Sequence, residues 1–67
     1  MENMSNTVKR VIDFYGLEID QTGDLVSVRS GKGEITFRRI NNTHYKLFSH
    51  RRRIVDVNKL IEMLEEL

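Results

Sequence analysis

The side chains of this sequence best equipped for chemistry are cations: the run His50-Arg51-Arg52-Arg53, with Arg29, Lys32, Arg38, Arg39 and Lys46 upstream of it. A guanidinium presents paired N–H donors in one plane, matched to phosphate or carboxylate oxygens, and an ammonium supplies a compact charge. Such residues bind anions, and the polyanion they suit is a nucleic-acid backbone. Other chemistries lack their parts. With no cysteine, thiolate metal sites, thiol nucleophiles and disulfides are excluded together. His44 and His50 lack the i, i+4 spacing that sets two metal ligands on one helical face. Ser30-Gly31-Lys32-Gly33 falls short of a phosphate-binding loop, which needs a longer glycine spacing and a strand-to-helix junction. Ser27 and Ser49 stand in no triad pattern, and Glu65-Glu66 belongs to a solvated helix end. The expectation is a protein that is not an enzyme and uses no cofactor and no metal.

The cations are concentrated in one part of the chain. The formal charge of the whole is only +1, but residues 29–53 carry eight basic residues against Glu34 alone. The flanking segments 1–28 and 54–67 are each net −3. A near-neutral total therefore conceals one strongly basic segment between two acidic ones, and that segment can meet anions that the average charge would not attract.

The elements that must position these residues follow from hydrophobic period. Met4, Val8, Val11, Ile12 and Tyr15 recur at helical spacing, with Ser5 as N-cap and Gly16 as the residue that ends the helix. From Leu17 to Ser49 the period falls to two, and Thr22-Gly23, Gly31-Lys32-Gly33 and Asn41-Asn42 punctuate it as turns. Val57, Leu60, Ile61, Leu64 and Leu67 then form a second helical stripe, capped by Asp56. The pattern predicts one α+β domain over residues 1–67: an antiparallel meander of three to four strands, with an N-terminal and a C-terminal helix packed on one face.

Register decides where the cations point. A two-residue Asn41-Asn42 turn sets Phe37 opposite Lys46, which places an apolar core residue and a charge on one face. A three-residue or four-residue loop, or a bulge, removes the conflict; the three-residue loop Asn41-Asn42-Thr43 sets Ile40 opposite His44, Arg38 opposite Lys46 and Thr36 opposite Phe48, and is the register preferred. Ile35, Phe37, Tyr45 and Leu47 are then left for the core. The second register predicts an outer sheet face bearing Arg38 and Lys46 beside Phe48, a composition suited to phosphates and sugars.

With 67 residues and 39% of them hydrophobic, the core is small and nothing covalent reinforces it. The polar stretch Met1 to Asn6 has no signal-peptide pattern and no apolar run reaches the length of a membrane span, so the expected location is the cytoplasm. The leading expectation is a small binding module that engages nucleic acid through Arg38, Lys46, Arg51, Arg52 and Arg53, with Arg29, Lys32 and Arg39 peripheral. The alternative is a protein-interaction or inhibitor module whose basic face meets an acidic protein surface. A homodimer that buries Met63, Phe14, Leu25 and Ile40 is a further expectation. The layout of a short meander with a C-terminal helix resembles the sheet-type DNA-binding modules of some mobile-element integrases. In size and layout the chain also resembles small phage-encoded inhibitor proteins.

Overall fold

The computed structural model describes residues 3–67; Met1 and Glu2, which open the polar stretch read above, lie outside the described residues. The chain runs α1 (Asn6–Tyr15), β1 (Glu18–Thr22), β2 (Leu25–Ser30), β3 (Gly33–Arg39), β4 (His44–Leu47), β5 (Arg53–Asp56) and α2 (Val57–Glu65). The strands form one antiparallel meander in the order β1-β2-β3-β4-β5. The fold is α+β as expected, but the sheet has five strands rather than three or four.

The added strand is β5. Its apolar content is the pair Ile54-Val55, too short to display a period of two, and it follows a charge run without Gly or Asn. Nothing in that stretch signals a turn by composition, yet Asp56 both ends β5 and caps α2, accepting a hydrogen bond from Lys59 N–H at 2.8 Å. Strand passes into helix with no loop between them, because an N-cap residue has extended backbone angles, here φ −81° and ψ 171°.

Helix α1 is built as its sequence predicts. Ser5 accepts from Val8 N–H, and Gly16 adopts φ 63°, the left-handed conformation that costs a residue with a Cβ about 1–2 kcal/mol. The expected three-residue loop at Asn41-Asn42-Thr43 is also present. Arg38 pairs with Lys46, and Ile40 N–H donates to the His44 carbonyl. Asn41 Oδ1 organises the loop by accepting from Thr43 N–H, Thr43 Oγ1 and His44 N–H, all within 3.0 Å.

One face of the sheet holds the core: Val26, Val28, Ile35, Phe37, Tyr45, Leu47 and Val55 are buried in a single cluster with Met4, Val8 and Ile12 from the α1 end and Leu60 and Leu64 from α2. Both helix stripes therefore serve the same sheet face. Their placement is not symmetrical, since α2 lies against β4 and β5 while α1 leans chiefly on α2. Phe37 and Tyr45 meet edge to face at 5.4 Å, and Tyr45 Oη accepts from Ser5 N–H at 2.9 Å, which ties the start of α1 to the sheet. Each fully buried Leu or Phe contributes about 1.5–3 kcal/mol by leaving water. The opposite face of the sheet carries no helix, and the site is built on it.

Candidate functional site

Alternation along the strands assigns the open face. A single row of directly opposed residues crosses all five strands on that side: Thr22, Leu25, Arg38, Lys46 and Ile54. The next outward row holds Asp20, Ser27 and Thr36, and Phe48 joins it through its N–H bond to the Thr36 carbonyl at 2.8 Å. A third row, Glu18, Arg29 and Glu34, completes the side nearest β1.

Arg38 and Lys46 are the centre of this surface. Like charges set directly opposite on neighbouring strands repel, at a cost of about 0.2–1 kcal/mol. Here the Phe48 ring takes up part of that cost: the Arg38 guanidinium carbon lies 5.5 Å from the ring centroid and Lys46 Nζ lies 5.6 Å from it. Both distances are in the range where a cation is attracted to an aromatic face. Neither cation has an acidic partner within ion-pair distance among the described residues.

Phe48 leads directly into the β4–β5 connection, where the basic run sits. His50 O accepts from Arg53 N–H at 3.2 Å, closing a four-residue turn, and its two central residues have φ of 60° at Arg51 and 57° at Arg52. Positive φ at both central positions is the type I′ hairpin turn, whose usual occupants are Asn-Gly. Arginine carries a Cβ into that conformation at a cost that Asn or Gly largely avoids. The turn thus holds two exposed arginines at the tip of a hairpin, and no acid lies within ion-pair distance of either among the described residues.

The remaining predicted site residues are distributed elsewhere. Arg29 lies on the open face but is held between Glu18 at 3.5 Å and Glu34 at 3.4 Å, so its charge is locally balanced. Arg39 and Arg53 stand opposite Tyr45 and Leu47, on the register of the helix-bearing side. Arg39 also latches the β3–β4 loop, donating from Nε to the Asn41 carbonyl and from Nη2 to Asn42 Oδ1. Lys32 occupies the β2–β3 turn and lines a shallow depression with His50, Met63 and Glu66. Of the eight cations read from the sequence, the fold opposes Arg38 and Lys46 on the open face, exposes Arg51 and Arg52 in the turn after β4, and places Arg29, Lys32, Arg39 and Arg53 in other surroundings.

The same face exposes apolar residues. Leu25, Ile40 and Ile54 are 38%, 42% and 57% exposed, flanking the cations. Ile54 is absent from the residues read from the sequence because β5 is not apparent there; the β-branched doublet Ile54-Val55 is compatible with a strand but too short to mark one. Phe14, by contrast, projects from α1, and Met63 is half-buried against the core. The four residues expected to be covered in a homodimer therefore do not form one patch.

Among the described residues, no cluster of three or more His, Cys, Asp or Glu could hold a metal ion, and no helix is long and apolar enough to cross a membrane. Comparison with protein-family models, with characterised proteins and with solved structures finds no match to this chain.

Proposed function

We propose that this protein is a small binding module whose ligand is nucleic acid, contacted through Arg38, Lys46, Arg51 and Arg52 on the open sheet face and its adjoining turn. Arg53 stands beside the turn, and Arg29, Lys32 and Arg39 are peripheral. The observation that carries this reading is that local rules of stability are broken twice, both times to present unpaired cations. Arg38 faces Lys46 where opposite charges would be favoured, and Arg51-Arg52 fills a turn suited to Asn-Gly. Departures of this kind are expected where function sets the residue.

A second reading has its own support. Leu25, Ile40 and Ile54 are exposed on the same face, and a protein partner with acidic and apolar groups would cover both kinds of residue. Salt separates the two. Fluorescence anisotropy with labelled oligonucleotides, comparing the parent with Arg51→Ala/Arg52→Ala/Arg53→Ala, is expected to show binding that falls steeply as salt rises and weakens in the variant. Absence of binding at 50 mM salt retires the nucleic-acid reading. Capture of one stoichiometric protein that withstands nuclease and raised salt supports the second.

A further inference from the structure

We infer that the ligand of this face is duplex nucleic acid, held through its phosphates by Arg38 and Lys46 on β3 and β4 and not by stacking of its bases; the inference rests on the nucleic-acid reading above. Proteins that hold single strands offer free aromatic rings on which successive bases stack. The aromatic side chain on the open face is Phe48, half-buried and already engaged by Arg38 and Lys46 at 5.5 and 5.6 Å. Phe37 and Tyr45 are sealed in the core, and Phe14 and Tyr15 belong to α1, beyond the sheet. What this face offers a ligand is therefore cations and aliphatic side chains, without a free ring.

The paired amide contact that reads adenine is missing from the strands as well. The hydroxyls of Ser27 and Thr36 are bonded to each other at 3.0 Å, and His44 Nδ1 is bonded to Thr43 Oγ1 at 2.8 Å. No Asn or Gln stands in the outward rows of the strands to make the paired contact that recognises adenine.

Charge then sets both the track and the type of strand. Glu18 and Asp20 on β1 repel phosphate from one side of the face. The outward cations of the strands are Arg38 on β3 and the opposed Lys46 on β4, about 5 Å apart at the usual strand spacing; Arg51 and Arg52 follow in the turn after β4, and β5 turns Ile54 and Asp56 to the same side. Paired cations without stacking platforms gain most from the ligand of highest charge density. A duplex carries about one charge per 1.7 Å of axis, twice that of either strand alone.

The test is paired titration of a 16-base-pair duplex and the corresponding 16-base single strand between 50 and 200 mM salt, with the parent chain, Phe48→Leu and Arg38→Gln/Lys46→Gln. Circular dichroism confirms that each variant is folded. Four phosphate contacts give a log–log salt slope of about −3.6 on the duplex, an affinity loss of about 150-fold over this range. The expected results are duplex binding at least fivefold tighter than single-strand binding at 50 mM salt, a duplex-to-single-strand affinity ratio that Phe48→Leu changes by less than threefold, and a slope about 1.8 shallower in the Gln pair. Equal affinity for the two ligands, tighter binding to the single strand, or a tenfold loss in Phe48→Leu confined to the single strand overturns the inference while leaving the nucleic-acid reading intact. Binding to neither ligand at 50 mM salt overturns both.

Discussion

Replacing Arg51 and Arg52 by the residues their turn prefers is expected to make this protein more stable. Both residues hold φ near +60°, a conformation that costs an ordinary L-residue about 1–2 kcal/mol. Arg52→Gly removes that cost at its position but returns about 0.5–1 kcal/mol through the freer unfolded chain. Arg51→Asn recovers part of the cost, because Asn tolerates the left-handed region. The double variant should therefore gain about 1 kcal/mol, roughly 4–8 °C in Tm for a domain of this size. In urea the midpoint should rise by about 1 M with an unchanged slope. Arg51→Ala/Arg52→Ala is the decisive control, since it removes both charges but leaves a Cβ at each positive φ. If the Ala pair stabilises as much as Asn-Gly, repulsion among the arginines and not backbone conformation is the source. If neither variant is stabilised, the turn is not strained and the argument that it sacrifices stability for cations falls. The Asn-Gly variant should also bind oligonucleotide more weakly, with a salt slope shallower by about 1.8.

Lys46→Glu converts the opposed like charges of Arg38 and Lys46 into a cross-strand ion pair, and should raise stability by about 0.2–1 kcal/mol while abolishing oligonucleotide binding. Equilibrium unfolding and anisotropy on the same preparation check both halves. Tyr45→Phe leaves the Ser5 N–H without its 2.9 Å acceptor and should cost about 1–2 kcal/mol in chemical denaturation. Asp56→Ala removes the cap of α2 and should cost about 1 kcal/mol, visible as a lower Tm with the sheet intact. Leu64→Ala, in the fully buried stripe of α2, should cost about 2–5 kcal/mol, enough to populate the unfolded state of so small a domain at 37 °C.

The sequence by itself determined the parts whose signals are local. Ser5, Gly16 and Asp56 bound the helices because capping depends on a residue and its next three or four neighbours. The β3–β4 register was legible because a two-residue turn would put Phe37 with Lys46, whereas the three-residue loop keeps Phe37, Tyr45 and Leu47 on a common face and sets Arg38 beside Lys46. Strand β5 was not legible. Its two apolar residues show no period, and the turn before it uses arginines in a conformation that composition assigns to Asn and Gly, so only pairing with β4 reveals it.

Which cations share a face was settled only by strand pairing. Consecutive residues of a strand point to opposite faces, so Arg38 and Arg39 separate although they are adjacent in sequence. Arg29 is neutralised by Glu18, eleven positions away, because antiparallel pairing brings β1 against β2. A linear count of charge can find the basic segment, but the faces of the sheet and the contacts between strands divide it, setting Arg38 against Lys46 on the open face, Arg39 and Arg53 on the other register, and Arg29 between two acids.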